Sequence, residues 1–257
     1  MTGAGGGRLR ECLVQLHLPA FRENYASHAV LATKESWSYT QYLLGLCELE
    51  IHERRQRRVE KLQRESRLPL EKTLESLDRS RLSRGVDRQL AALLEGSFLD
   101  RADNVLAFGN PGSGKTHLIC ALAHELILQG RRLLFTRCAL LVQRLLRAKA
   151  ELTLEKELKR LDRFEGLVID DIGYVQQNRD EMEVLFTLLA HRYERGSILL
   201  TSNLVFSDWE RIFKDPMTTA AAIDRLVHHS VILELNMSSY RMEAAKNRRD
   251  KDKDKEG

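Results

Sequence analysis

The sequence predicts an α/β protein in which a mainly parallel sheet lies between helices, preceded by a small all-helical domain. Short apolar runs alternate with helix-patterned stretches in the second half of the chain, which is typical of a parallel sheet with crossover helices. A glycine-rich loop joins the first of these runs to a helix pattern. The 257 residues, 43% of them hydrophobic, suffice for one sizeable domain and a smaller one.

The first domain is predicted over residues 1–68. The pattern loosens around Pro69, and proline disfavours the helical conformation in the residue before it, so the boundary is placed there. The main domain is predicted over 69–245. Residues 246–257 are almost wholly charged, so we expect a disordered tail. The helix-patterned segments of the first domain are 13–18 and 39–63.

Each predicted strand of the main domain is a short apolar run followed by a helix-patterned segment. Strands that alternate with helices in this way pair in parallel and are covered on both faces. After the first strand the helix pattern begins at His117, and Gly130 is a plausible stop for that helix. The predicted strands are 105–108, 133–136, 167–170, 198–201 and 231–235.

The loop after the first strand reads GNPGSGKT, residues 109–116. A phosphate cradle needs backbone N–H groups turned inward, and glycine permits this close approach. Lys115 is expected to reach the β- and γ-phosphates, and the Thr116 hydroxyl to coordinate Mg²⁺. The alternative is a chance glycine turn, which the full strand–loop–helix context disfavours. The residues assigned to nucleotide binding are Gly109, Asn110, Pro111, Gly112, Ser113, Gly114, Lys115, Thr116 and His117.

Two carboxylates follow the third predicted strand. In a parallel sheet, the strand ends meet at the edge where ligands bind. Asp170 is therefore assigned to Mg²⁺, through its water shell, and Asp171 to the water that attacks the γ-phosphate. Alternatively, these aspartates only cap the strand end as turn residues. The pairing with the upstream loop favours the functional interpretation.

Polar side chains also follow the later elements. Asn203, after the fourth strand, has a neutral amide that could hold the attacking water or the γ-phosphate. Alternatively, it is an ordinary turn residue. A phosphoryl-transfer site commonly needs an additional guanidinium, often from a neighbouring molecule. Arg225 and Arg241 are both candidates, and the alternative for each is a surface ion pair.

The second helical segment of the first domain carries a basic face. Phosphate contacts along a duplex and a solvated helix with ion pairs both fit this pattern, and charge alone leaves the choice open. The net charge of +4 is compatible with a polyanionic partner. The basic residues are Arg54, Arg57, Arg58, Lys61 and Arg64, and the alternative i, i+4 pairs are Glu50–Arg54, Glu53–Arg57 and Glu60–Arg64.

No apolar stretch approaches the roughly 18 residues that a membrane helix needs. The glycine-rich start also lacks the apolar segment of a signal peptide, so a cytoplasmic protein is expected. The four cysteines form no C-x-x-C pair, which argues against a cysteine zinc site and a disulfide framework.

Taken together, GNPGSGKTHL, LVIDDIGY, ILLTSNLVFSDW, IDRLVHHS and SYR resemble the IstB-like transposition helper ATPases. These are relatives of the DnaC helicase loader and the DnaA initiator within the AAA+ class. LHLPAFRENYASHA, ELEIHERRQRR and LPLEKTLESLD extend the resemblance over nearly the whole chain. It implies an αβα AAA+ core with Asn203 as sensor 1, Arg225 as arginine finger and Arg241 as the sensor 2 arginine. Because few residues follow Arg241, a minimal C-terminal lid is expected.

The resemblance also implies a function. Such a protein binds ATP and Mg²⁺ and hydrolyses ATP at the interfaces of a homo-oligomer. It grips and remodels double-stranded target DNA with little sequence specificity, and it recruits and stimulates the neighbouring transposase. Leu74 and Leu77 are expected near the adenine. Further candidates for DNA contact are Arg144, Arg147 and Lys149.

One residue departs from the wider class. Many AAA+ ATPases have Asp-Glu where this chain has Asp170-Asp171, so hydrolysis is expected to be slow. Three alternatives stay open. They are a DnaC-like loader of a replicative helicase, a small-molecule kinase that uses the same loop, and a DNA-binding scaffold that uses ATP only for assembly.

Overall fold

The computed structural model describes residues 4–172, 179–209 and 215–235. The chain divides into two compact units, Met1–Lys61 and Leu62–Gly257. The division falls inside a helix because Leu62 and Leu68 pack in the core of the second unit. The predicted domain limits at 68 and 245 stay predictions. Among the described helices, none is long and apolar enough to cross a membrane.

The first unit is built from helices. The helices are α1 (Ala4–Gln15), α2 (Pro19–Lys34) and α3 (Tyr39–Ser66), whose last residues belong to the second unit. Proline suits the first position of α2, where a backbone N–H has no helical partner. Sequence analysis missed α2 because only Ala20 of this helix is buried, so there is little apolar periodicity to detect.

The second unit contains a five-stranded sheet in the order β2-β3-β4-β1-β5, and every pairing is parallel. All five predicted strands are confirmed. The strands are β1 (Asn104–Gly109), β2 (Leu133–Arg137), β3 (Gly166–Asp170), β4 (Ser197–Ser202) and β5 (Ser230–Leu235). The helices are α4 (Arg84–Leu93), α5 (Ser97–Asp100), α6 (Lys115–Leu128), α7 (Cys138–Ala150), α8 (Leu154–Leu161), α9 (Arg179–Arg192) and α10 (Pro216–Val227).

Apolar layers cover both faces of the sheet. Successive side chains of β1 point to opposite faces, so Val105 and Ala107 join one buried cluster while Leu106 and Phe108 join the other. The cluster with Val105 includes the buried side of α6, and the other includes buried residues of α7 and α9. This is the predicted αβα arrangement. Gly130 follows the end of α6 with φ of 92°, as expected for a helix stop.

The parallel register brings several loops to one edge of the sheet. Gly109 at the end of β1 is level with Leu235 of β5, and Phe108 is level with Ser202 of β4. The last residues of β3 pair with β2, where Arg137 is level with Asp170. The segments that follow β1, β3 and β4 therefore start from the same carboxyl edge, where ligands bind in open parallel sheets.

At the opposite edge, the buried guanidinium of Arg192 ties several segments together. Its two terminal nitrogens donate to the carbonyls of Leu161, Phe164, Glu165 and Ser197, at 3.0–3.2 Å. Burial lowers the pKa of Arg192 to about 10. The guanidinium also requires glycine at position 196, because a Cβ there would lie 2.2 Å from Arg192 Nη2.

Replacing Arg192 with leucine should destabilise the second unit. Four buried carbonyls would each lose a donor, and at about 1 kcal/mol or more per group the free energy of unfolding should fall by at least about 3 kcal/mol. Thermal unfolding followed by circular dichroism measures this. Arg195→Leu, at an exposed position of the same turn, is the matched control. An equal effect of both substitutions would contradict the proposed tie.

Candidate active site

The loop between β1 and α6 has the backbone of a phosphate cradle. Gly112 and Gly114 have φ of 81° and 91°, a region that side chains disfavour. Gly109 has no room for a side chain, since a Cβ would lie 2.3 Å from the carbonyl oxygen of Leu235. Glycine is therefore required at the start of the loop by close packing against β5. The residues predicted to bind nucleotide, 109–117, run from the last residue of β1 through this loop into the first turn of α6.

Lys115 begins α6 and its side chain lies inside the loop. The side chain is buried, and Nζ donates to the carbonyl oxygens of Gly109 at 2.8 Å and Asn110 at 2.9 Å. Ser113 Oγ is buried within the same loop and has no hydrogen-bond partner among the described residues. A cation and an unpaired hydroxyl thus lie at the N-terminal end of a helix, where the backbone dipole favours an anion.

The hydroxyl of Thr116 meets the first carboxylate of β3. Thr116 Oγ1 donates to Asp170 Oδ1 at 2.7 Å, and Asp170 is buried. Thr201 of β4 donates to the same oxygen, also at 2.7 Å. The backbone N–H of Asp171 in turn donates to Thr201 Oγ1 at 2.9 Å. The loop, β3 and β4 are therefore joined by one hydrogen-bonded chain at the predicted metal position.

Thr201 was missed by sequence analysis. A threonine inside an apolar strand usually reads as a β-former, and only the register of β3 against β4 reveals its position. Its hydroxyl acts as donor to one aspartate and acceptor from the next, so it fixes both. The signal that could have found it is its place two residues before Asn203.

The two remaining predicted polar residues lie at this edge as well. Asp171 directly follows β3 and has φ of 61°, which aspartate tolerates better than most residues. Asn203 directly follows β4, and its side-chain oxygen is buried without a hydrogen-bond partner in the described ranges. An unpaired buried amide oxygen is costly, which indicates a place for a hydrogen-bond donor such as water. The catalytic roles of both residues stay predictions.

A cleft adjoins the start of the loop. It has a volume of about 620 Å³ and lies between α4 and β5. Gln89 of α4 donates to the carbonyl of Ile232 across it, at 3.3 Å. Its apolar lining consists of Leu82, Val86, Ile232 and Leu235. Because Leu235 is level with Gly109, the cleft opens beside the phosphate loop.

Two histidines hold the segment before α4 against the phosphate-loop helix. His117 Nε2 lies 3.1 Å from the Thr73 carbonyl oxygen and 3.0 Å from Ser76 Oγ. Seven residues further along α6, His124 Nε2 lies 2.9 Å from the carbonyl oxygen of Pro69. Leu74 and Leu77 pack on the core beneath this segment, and their predicted contact with adenine stays a prediction.

Of the two arginine candidates, Arg225 is among the described residues. Arg225 lies near the end of α10, where its guanidinium stacks on the Phe186 ring at 5.0 Å and donates to the Ala221 carbonyl at 2.8 Å. Its role as arginine finger stays a prediction. Arg241 and the C-terminal lid lie outside the described residues.

Several of the basic residues predicted to contact DNA take part in ion pairs. The expected pairs Glu50–Arg54 and Glu53–Arg57 form, at 2.8 and 3.0 Å. Burial alone would raise the pKa of Glu50, but hydrogen bonds from Arg54 and the Ala20 N–H lower it. Arg54 also donates to the His17 carbonyl at 2.5 Å.

The remaining basic candidates lie on α3 and α7. Arg144 pairs with Glu157, and Lys149 with Glu183 at 2.9 Å. Glu60 accepts a hydrogen bond from Gln56 at 3.3 Å. Contact with DNA stays a prediction for the whole set. The set on α3 also contains Arg58, Lys61 and Arg64, and the set on α7 also contains the exposed Arg147.

If Asp170 binds Mg²⁺ as predicted, replacing Thr201 with valine should lower ATP hydrolysis by about 10- to 100-fold, the usual effect of losing a partner that orients a metal ligand. Valine keeps the shape but leaves Asp170 Oδ1 and the Asp171 N–H without the hydroxyl. Steady-state phosphate release measures the change. Thr187→Val on α9, whose hydroxyl only bonds the Glu183 carbonyl, is the control. Unchanged hydrolysis in a folded Thr201→Val protein would contradict the role of Thr201.

The parallel sheet, the phosphate loop and the joined Thr116 and Asp170 define a P-loop nucleotide-binding protein with the fold of the AAA+ class. The family model described as "IstB-like ATP binding protein" matches residues 12–248. The chain belongs to this family.

Relatives of similar length support the assignment. The chain is 43% identical over 239 residues to an insertion sequence ATP-binding protein of Sinorhizobium fredii, covering 93% of this chain and 80% of the relative. It is 40% identical over 212 residues to the insertion sequence IS21 ATP-binding protein of Pseudomonas aeruginosa, covering 82% and 80%.

Solved structures share the fold at low sequence identity. DnaI matches with a TM-score of 0.55 and 20% identity, covering 66% of this chain and 96% of that chain. DnaA of Aquifex aeolicus, bound to AMPPCP, matches with a TM-score of 0.54 and 16% identity, covering 71% and 56%. The DnaC helicase loader matches with a TM-score of 0.53 and 18% identity, covering 65% of this chain and 98% of that chain. At this identity the likeness concerns the fold alone.

Proposed function

We propose that the chain is an ATPase that assists a transposase during DNA transposition. It binds ATP with Mg²⁺, forms nucleotide-dependent oligomers on duplex target DNA, and recruits and stimulates the transposase. The observation that carries the proposal is the hydrogen bond between Thr116 and Asp170 beside the cradle, in a member of this family. The relatives named for insertion sequences support transposition over helicase loading.

The residues present fit a magnesium-bound triphosphate. Ser113 Oγ and Asn203 Oδ1 are buried polar atoms without partners in the part of the chain described, the second suited to accept a hydrogen bond from water, and Lys115 supplies a buried cation. Thr116 and Asp170 would hold Mg²⁺, which neutralises charge on the phosphates when bound. The cleft lined by Leu82 and Leu235 is proposed as the place for the adenine, because it has apolar side chains beside polar ones and opens beside the loop.

Hydrolysis needs a water aligned with the γ-phosphate. Asp171 and Asn203 leave the same sheet edge, so they orient this water by accepting and donating hydrogen bonds. The water oxygen bonds to phosphorus as the bond to the β,γ-bridging oxygen breaks. ADP leaves with the electron pair of that bond, and one water proton passes to solvent through Asp171. Inorganic phosphate is the second product.

Oligomer formation follows if Arg225 completes the site of a neighbouring protomer. In the single chain its guanidinium stacks on Phe186, so it must leave that ring to reach a phosphate. A half-buried stacking contact of this kind is worth about 1 kcal/mol, which a charge-assisted bond to phosphate exceeds. ATP would therefore hold two protomers together, and hydrolysis would loosen them.

DNA binding would rest on phosphate contacts repeated along the oligomer. Arg54, Arg57 and Lys149 already form ion pairs with carboxylates, so each protomer contributes few strong contacts to DNA phosphates. Repetition on one duplex multiplies weak contacts into a firm grip. Contacts of this kind carry no base information, so sequence preference is expected to be small.

The decisive experiment combines the protein with duplex DNA and a nonhydrolysable ATP analogue. We expect oligomers by analytical ultracentrifugation and electron microscopy that need both ligands. DNA affinity should fall steeply between 50 and 200 mM salt, by roughly tenfold or more for a few phosphate contacts. Arg147→Ala should reduce the salt slope, whereas Lys156→Ala, on α8, should not. A protein that stays monomeric, or a flat salt response, would refute the proposal.

A further inference from the structure

At the sheet edge opposite the phosphate loop, three potential metal ligands converge. Glu194 lies in the turn between α9 and β4, and His228 and His229 lie between α10 and β5. Each offers one ligand atom, and these atoms all lie within 4.8 Å of one another. All three side chains are exposed, so an ion in solution can reach them.

The backbone beneath this group is held in place by one buried residue. Asn104, the first residue of β1, donates its N–H to the His229 carbonyl at 2.7 Å. Its side-chain oxygen accepts from Ile198 N–H at 2.8 Å, and its side-chain nitrogen donates to the Leu226 carbonyl at 3.0 Å. The two segments that carry the ligands are therefore joined through the same side chain. The frame exists before any ion binds.

The rings are also partly oriented. Tyr193 hydroxyl lies 2.9 Å from His228 Nδ1, which leaves the other ring nitrogen for a different contact. The His228 and His229 rings pack edge to face with centroids 4.2 Å apart. A hydrogen bond to the second nitrogen of a histidine is the usual way in which proteins orient a metal-binding imidazole.

We infer that Glu194, His228 and His229 form a binding site for a divalent transition metal of the zinc class. Two imidazoles and one carboxylate are a common zinc ligand set, with water as the fourth ligand. Tetrahedral zinc sites place ligand atoms about 3.4 Å apart, so the exposed side chains, whose ligand atoms lie within 4.8 Å of one another, need to close by at most about 1.4 Å. The site uses no cysteine and is separate from the magnesium position at Thr116 and Asp170.

Metal binding at this site would restrict the movement of α10 relative to α9. A bound ion would join the end of α9 to the end of α10, close to Arg225 on α10 and to its stacking partner Phe186 on α9. It would therefore restrict the helix that carries Arg225. The binding test below does not depend on the proposed ATPase function.

The test uses the full chain without an affinity tag, stripped by a chelator, with excess Mg²⁺ present to occupy the phosphate-loop site. Zn²⁺ is titrated by calorimetry, and Co²⁺ by its visible absorption, which reports tetrahedral coordination. We expect one equivalent per chain and a higher melting temperature on binding. Glu194→Gln and His229→Ala should each weaken binding by more than about 100-fold, beyond the usual effect of losing a partner that only orients a ligand.

Matched control variants test whether the metal binds to histidine or cysteine side chains elsewhere in the chain. His52→Ala, at an exposed position of α3, and Cys47→Ser should bind as the unchanged protein does. The variants should melt at the unchanged temperature in the presence of chelator, which shows that they fold. Absence of a stoichiometric equivalent would overturn the inference. Unaltered binding in Glu194→Gln and His229→Ala would overturn it as well.

Discussion

Replacing Arg225 with alanine is expected to lower the rate of ATP hydrolysis by about 10³-fold or more, the range measured for loss of an arginine finger. ATP affinity should change little, because the phosphate loop of the same chain stays intact. The stacking contact on Phe186 lies outside the loop, so its loss costs only a small part of the stability. Phosphate release at saturating ATP and a separate nucleotide-binding titration give the two numbers.

Mixing distinguishes a shared site from an internal one. Arg225→Ala subunits lack the arginine but keep Asp171, and Asp171→Ala subunits have the opposite defect. If each site takes Arg225 from its neighbour, mixed oligomers regain part of the activity at interfaces that combine the two intact halves. Arg163→Ala, an exposed residue after α8, should hydrolyse ATP normally. Failure of the mixture to exceed its separate components would argue that Arg225 acts within its own chain or not at all.

Replacing Lys115 with alanine should weaken ATP binding by more than about 100-fold. Each charge-assisted hydrogen bond to a phosphate is worth about 1.5–3 kcal/mol, and Lys115 contributes more than one. The oligomer that needs ATP should disappear with it. Fluorescent nucleotide titration measures the affinity, and sedimentation measures the assembly.

Stability is the necessary companion measurement for this variant. The Lys115 ammonium now bonds the carbonyls of Gly109 and Asn110, so its removal takes one donor from each of these loop carbonyls. Lys156→Ala, at an exposed position of α8, is the control for loss of one positive charge. ATP binding that survives in Lys115→Ala would remove the basis for assigning the cradle.

The sheet and the phosphate loop could be predicted because the signals are consecutive in the chain. A strand, three glycines, a lysine and a threonine occur within residues 105–116 and need no distant partner for their recognition. Asp170, Asp171 and Asn203 follow apolar runs, and parallel pairing places them at one edge. The structure confirms that placement through strand order and register.

Other features depend on contacts between distant segments and left little trace in the sequence. Thr201 matters because β3 and β4 are adjacent, which the sequence order alone does not reveal. Arg192 reads as an ordinary surface arginine until its four carbonyl partners are seen. The ion pair of Arg144 with Glu157, which links α7 and α8, likewise left no trace in the sequence, and the predicted DNA contact of Arg144 stays a prediction.

The left-handed backbone of Asp171 bears on the history of this position. Aspartate and asparagine tolerate φ near 61° because their short polar side chains bond locally, whereas glutamate gains no such relief. Glutamate would therefore be more strained than aspartate at this position, although the chain accepts glutamate at φ of 57° at Glu194. Asparagine would be accepted there without strain while abolishing the charge. An Asp171→Asn protein would therefore remove the carboxylate and keep the backbone unstrained.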